Sequence, residues 1–237
     1  MIITQTPLRV SFFGGGSDYP SWYNNKDNFG EVISCTIDKY IYISLKETEN
    51  FSKNKYFLKY SKTENVDSVN KIKHKVIRKA FRYFKINRNL ELQSNSDIPA
   101  KAGMGTSSAF TVGLIKAINT LNKNKISQKK LAEFSTFFEH KILKEAVGSQ
   151  DQYAACYGGF NCFKFSENKV QIKKYDIEKD YFKKLNQNLF LVFTGKTNFS
   201  REIVMKFTPL LTSKKKKIIK NILNHVQQAK NIIKNNE

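Results

Sequence analysis

The chain has 237 residues, with 41 Lys and Arg against 20 Asp and Glu, a formal charge of +21. An apolar share of 40%, including 19 Phe and 11 Tyr, is enough for a buried core and excludes wholesale disorder. No run reaches the roughly 18 apolar residues of a membrane span; the longest clean stretch is Leu189 to Phe193.

Neither a basic flank nor a long apolar region marks Met1 to Gln5, so no leader is expected and the cytoplasm is the expected location. Cys35, Cys156 and Cys162 are odd in number and lack paired Cys-x-x-Cys spacing, which argues against disulfides and zinc. The three His, at 74, 140 and 225, are scattered and suggest no metal cluster. Thirty-six of the basic residues are Lys and five are Arg, while Asn and Ile number 23 and 22. All three abundant types have A/T-rich codons, and sequence-specific nucleic-acid readers favour Arg. The charge is therefore read as a solvated surface, with a nucleic-acid partner as the lesser alternative.

In chain order, Ile2 to Thr6 and Arg9 to Phe13 read as short strands broken by Pro7, and Ile41 to Leu45 alternates as a strand should. One possible strand, Tyr56 to Tyr60, lies in the polar stretch up to Asp67. Val69 to Phe84 carries apolar residues at helical spacing, and Leu90 to Gln93 alternates again. A glycine turn at Ala100 to Thr106 opens a helix to about Leu121. A second helix spans about Ser127 to Lys144, with Ser127 as N-cap. Two short strands, Phe160 to Phe165 and Val170 to Tyr175, are followed by an apolar strand, Asn188 to Phe193. Helices are expected at Arg201 to Phe207 and Lys214 to Asn235. The class is α+β.

The most informative segment runs from Asp97 through Pro99, Ala102, Gly103, Met104, Gly105, Thr106, Ser107 and Ser108. The two glycines permit positive φ, and three hydroxyl residues open a helix whose N–H groups and dipole favour an anion. A hydroxyl at that turn can also ligate Mg²⁺ on a bound phosphate. Spacing alone leaves this balanced against a glycine turn that binds nothing. Thr194-Gly195-Lys196-Thr197 echoes the end of a Walker A loop, but position 190 is Phe where that motif needs Gly, so it reads as a surface loop.

The string Pro99-x-x-x-Gly103-Met104-Gly105-Thr106-Ser107-Ser108-Ala109 resembles the phosphate-binding motif of the GHMP kinases. Two other segments match that family in order: Thr6 to Pro20, with Gly14-Gly15-Gly16-Ser17-Asp18, and Glu139 with Val147 to Ala155. The triple glycine before Ser-Asp-Tyr-Pro, the Tyr60 to Glu64 segment and the Gln150-Asp151-Gln152-Tyr153 string are most similar to the D-glycero-D-manno-heptose 7-phosphate kinase branch. The resemblance implies a ribosomal-protein-type β-α N-terminal domain, with ATP and Mg²⁺ as cofactors and a sugar phosphate as substrate.

By that resemblance, Pro99 and Ala102 to Ser108 wrap the ATP phosphates. Ser107 is the first choice of Mg²⁺ ligand, Ser108 the second, and Glu139 the carboxylate on the metal. Asp151 orients or deprotonates the acceptor hydroxyl. Arg9 keeps Asp151 ionised and offsets charge on the γ-phosphate. Gly15, Gly16, Ser17, Asp18, Gly148 and Gln150 line the substrate side. Tyr153 and Tyr157 read as packing.

The family normally continues into a second domain with a late glycine-rich motif, yet no glycine follows Gly195. The expected division is therefore 1–185 for the N-terminal domain and 186–237 for the start of the second. The last helix is expected to leave an apolar stripe for a second chain or another copy. An impaired nucleotide-binding fragment or half of a split kinase stands as the alternative to an active enzyme.

Overall fold

A computed structural model describes the chain except for residues 50–52, 101, 176, 193–194, 196–203, 205, 207 and 236–237. Seven strands form one sheet in the order β4-β3-β5-β2-β6-β7, with β1 paired to β2. These are β1 (Ile2–Phe13), β2 (Gly30–Glu47), β3 (Tyr56–Lys59), β4 (Thr63–Val66), β5 (Leu90–Ser96), β6 (Phe160–Ser166) and β7 (Lys169–Lys174). The helices are α1 (Pro20–Tyr23), α2 (Lys75–Tyr83), α3 (Thr106–Leu121), α4 (Gln128–Phe137), α5 (Gln150–Tyr157), α6 (Lys179–Gln187) and α7 (Lys216–Asn235).

The 18-residue β2 organises the sheet. Its C-terminal half, Ile41 to Glu47, pairs antiparallel with β5, and its N-terminal part, Gly30 to Cys35, pairs antiparallel with β6. Antiparallel β1 follows it along most of its length and shifts register between Pro7 and Arg9. Pro7 therefore does not break β1 in two. Among the described residues β1 pairs with β2 and no other strand, so it has a free edge, where proline is tolerated. The strand expected near Tyr56 is joined by β4, a short polar partner with one buried residue, Glu64, which local pattern could not announce.

Helix α3 is buried almost all round and lies on β1 and β2. Its approach is close: a Cβ on Gly113 would stand 2.7 Å from Thr6 Oγ1, and the Thr4 hydroxyl donates to the Gly113 carbonyl at 3.2 Å. Around it Leu8, Ile43, Leu45, Leu58, Ile77, Phe81, Leu92 and Phe138 form the main core. The helix expected to run to Lys144 changes pitch: α4 ends at Phe137 and a π turn, Phe138–Ile142, takes over. Such turns recur at functional sites, and this one carries Glu139.

The apolar stripe of α7 is covered by the chain itself, which corrects the expectation of an uncovered face. Ile219 and Leu223 join Trp22, Tyr153, Phe163 and Phe165, while Val226 and Ala229 join Ile33, Phe160 and Cys162. Residues at spacings of three and four seat one face of the helix, leaving Ile218 and Ile232 half exposed. The apolar strand expected at Asn188 to Phe193 is not formed over its described part. Asn188 caps α6, and Leu189 to Val192 stand exposed outside any strand. Phe193, most of the Thr194 to Thr197 motif and most of the helix expected at Arg201 to Phe207 lie outside the described residues. No described helix is long and apolar enough to cross a membrane, and among the described residues the three cysteines are free.

Candidate active site

The site forms where β1, the turn into α3, the π turn and α5 meet. Gly103 and Gly105 have φ of 77° and 72°, conformations that a Cβ penalises. Gly105 is the N-cap of α3 and no side chain caps that end. The first-turn N–H groups, those of Thr106, Ser107 and Ser108, therefore have no acceptor within the helix. Charge of the helix dipole adds to them, which suits this turn to a phosphate group.

Arg9, just past the register shift in β1, ties the turn to α5. Its backbone N–H donates to Met104 O at 3.2 Å and its Nη1 to Gly103 O at 2.8 Å. Its Nε and Nη2 reach Asp151 Oδ1 at 2.8 and 2.7 Å. Asp151 sits in the first turn of α5. A Cβ on Gly105 would lie 3.3 Å from Asp151 Oδ2, so the glycine turn runs directly over this carboxylate.

Glu139 lies beneath the same turn, 2% exposed. Its Oε2 accepts from the Ser108 hydroxyl at 2.9 Å and from the Gln152 side-chain amide, whereas its buried Oε1 meets no donor at hydrogen-bonding geometry among the described residues. Burial pushes its pKa up to about 7; the side chains of Thr111, Gln152 and Ser108 oppose that rise, and the Asp151 charge adds to it. A buried carboxylate with one oxygen unfilled, set among the Ser108 and Thr111 hydroxyls, is a hard-oxygen environment of the kind Mg²⁺ takes. The residues thus fit a Mg²⁺ ion, with Glu139 and Ser108 as the groups that would hold it. Ser107, the first choice from sequence, is exposed at the outer side of the same helical turn, and Ser108 is the serine bonded to Glu139.

On the other flank, Asp18 is 1% exposed. It accepts from the Gly16 N–H through Oδ1 and from the Gln150 N–H through Oδ2, both at 3.1 Å, and its carbonyl accepts from Ser149 N–H at 2.9 Å. Burial, then the Asp151 charge, holds its pKa above the usual carboxylate range. Gly148 passes so close that a Cβ there would stand 2.0 Å from Asp18 Oδ2. Gly15 faces the Gln150 side chain, whose Oε1 is buried without a partner. Ser17 is not brought to this surface. Its fully buried hydroxyl donates to Gly14 O at 2.7 Å and accepts from Glu31 N–H at 3.0 Å, a structural use of the residue.

Pro99 is exposed on the approach to the turn, Ala102 and Met104 are half-buried within it, and Thr106 is buried at the start of α3. Two participants were not singled out from sequence. Gln152 bridges Glu139 and Ser108, and Tyr19 lies close enough to Asp18, Asp151 and Arg9 for each to act on its phenol, which burial drives upward. Gln152 adjoins Asp151 and Tyr19 adjoins Asp18 in the chain. Tyr153 and Tyr157 pack on Phe163, as expected.

Residues 70–159 match the family model described as the GHMP kinases N terminal domain. The chain is 30% identical over 215 residues to D-glycero-alpha-D-manno-heptose 7-phosphate kinase of Campylobacter jejuni, covering 85% of this chain and 62% of that protein. It thus spans less than two thirds of that relative's length. It is 25% identical over 167 residues to a galactokinase of Pyrococcus furiosus, covering 66% of this chain and 44% of that one. The solved structure of a D-glycero-D-manno-heptose 1-phosphate kinase from Bacteroides thetaiotaomicron superposes with a TM-score of 0.71 at 23% identity, covering 93% of this chain and 74% of that one. The matched segment holds the glycine turn, Ser108, Glu139 and Asp151 together, and the chain therefore carries a GHMP kinase N-terminal domain.

Proposed function

We propose that the chain works in an ATP-dependent sugar kinase that transfers the γ-phosphate to the anomeric hydroxyl of D-glycero-D-manno-heptose 7-phosphate. One observation carries this reading: Arg9 holds Asp151 directly beneath the Gly103 to Gly105 turn while Ser108 and Glu139 meet under the same turn. Phosphoryl transfer requires positioning and charge neutralisation more than covalent chemistry, and these groups supply both. The N–H groups of the turn hold the phosphate tail. Bound Mg²⁺, held by Glu139 and Ser108, would supply neutralisation of the phosphate charge. Asp151 orients the acceptor hydroxyl and takes its proton, and Arg9 fixes the carboxylate oxygen that is not so used. Asp18, braced by the Gly148 to Gln150 backbone, shapes the acceptor side. On this reading residues 1–185 hold both substrates and 186–237 open the second domain.

The test is phosphate transfer from ATP to a panel of sugar phosphates, including heptose 7-phosphate, hexose 6-phosphates and the free sugars. The expected result is turnover confined to the heptose phosphate and lost on Asp151→Asn. Equal rates for wild type and Asp151→Asn would remove the carboxylate from its role. ATP binding with no transfer to any member would favour a nucleotide-binding fragment instead.

A further inference from the structure

Glu31 is a buried acid that the catalytic reading leaves unused. It lies near the start of β2, 3% exposed, and its carboxylate points to α7. Lys230 Nζ reaches Oε1 at 2.8 Å, Gln227 Nε2 reaches Oε2 at 2.5 Å, and the Cys162 thiol donates to Oε1 at 3.4 Å. Gln227 and Lys230 stand three apart and so share one face of the helix. The backbone of the same residue grips the glycine loop. Glu31 N–H donates to Ser17 Oγ at 3.0 Å, and that hydroxyl lies 3.2 Å from Glu31 O. Contact there is as tight as glycine allows: a Cβ on Gly14 would stand 1.9 Å from Glu31 O, and one on Gly30 2.1 Å from Ser17 O. The next residue is Asp18, whose carboxylate and carbonyl hold the backbone at Gly16, Ser149 and Gln150, immediately before Asp151.

We propose that Glu31 is a positioning residue through which α7 sets the Gly14 to Asp18 loop and with it the acceptor side of the site. The inference rests on the kinase reading for its consequence, but the coupling is visible without turnover. A carboxylate this buried needs its cation and its donors. When Lys230 is neutralised, the carboxylate must seek water, and the backbone that carries it cannot move without moving Ser17.

The experiment follows amide hydrogen exchange in the ligand-free protein at Gly16, Ser17, Glu31, Ser149 and Gln150. Lys230→Met is expected to speed exchange at these five amides about tenfold or more, while those of α3 stay unchanged. Lys230→Arg restores the protection, and Lys220→Met, at an exposed position of the same helix, changes nothing. In the transfer assay Lys230→Met raises KM for the acceptor and leaves KM for ATP in place. If Lys230→Met does not fold, Gln227→Leu, which keeps the ion pair, carries the same comparison. A uniform change across the chain, or none at the loop, overturns the coupling. Absence of turnover in every variant, with the loop amides responding as expected, refutes the kinase reading alone.

Discussion

Glu139→Gln isolates the electrostatics of the site. The Glu139 carboxyl rises from 4.5 to about 7 because burial penalises its charge. A raised carboxyl pKa means that the folded protein binds more protons than the unfolded chain between those two values. Ligand-free stability must therefore fall as pH climbs from about 4.5 through about 7. At about 1.4 kcal/mol per unit, the full loss is on the order of 3 kcal/mol, or roughly 6 to 12 °C in Tm for a domain of this size. Glu139→Gln keeps the shape and carries no charge to bury, so its Tm is expected to lose this descent and to exceed wild type at pH 8. Thermal unfolding of both proteins between pH 5 and 8, without nucleotide or divalent cation, checks it. Added Mg²⁺ with ATP should raise the wild-type Tm most at pH 8, where the carboxylate is already ionised, and raise that of Glu139→Gln little. Parallel pH profiles for the two proteins would refute the reasoning, because the residue would then titrate as an ordinary carboxyl.

Three further outcomes follow from the same geometry. Gly148→Ala places a methyl group 2.0 Å from Asp18 Oδ2 and is expected to cost about 1 to 3 kcal/mol in denaturant unfolding; an unchanged midpoint would mean that the loop yields to the added methyl without cost. Ser108→Ala removes a donor to Glu139, so the Glu139 titration should move higher and Mg²⁺-dependent nucleotide binding should weaken, whereas Ser107→Ala should leave the titration in place. NMR of the labelled carboxyl reads the first effect and calorimetry the second. Arg9→Met frees both Asp151 and the Gly103 carbonyl and is expected to lower kcat by about 100-fold or more, measured in the transfer assay; a loss below about threefold would reduce Arg9 to a structural tie.

Much of this site was legible because its chemistry is local in sequence. Gly103 and Gly105 announce a bend that only glycine takes easily, and the helix that follows declares itself by spacing. The pairing of Ser108, rather than Ser107, with Glu139 could not be read that way. Adjacent helical positions point about 100° apart, and which one turns inward depends on how α3 rotates against β1. Ser17 illustrates the same limit. Its type and place suggest a sugar contact, yet the closeness of Gly14 to Glu31 turns its hydroxyl inside. Pro7 misled because the pattern does not say which edge of a strand is unpaired. The stripe of α7 was read as an uncovered face, and the chain itself covers most of it, since spacing reveals a sticky face and not the surface that receives it. Leu189 to Val192 show the converse: apolarity is no guarantee of a strand.

Arg9 holds three groups with one side chain and one amide: the carbonyls of Gly103 and Met104 on the bend, and the acid at the start of α5. A guanidinium is planar and stiff, so its contacts do not slide independently. Any shift of the bend must be felt at Asp151 through a single rigid link. On the proposed reading, donor loading and alignment of the acceptor's proton-taking group would be one mechanical event, timed by a residue that never has to leave its strand.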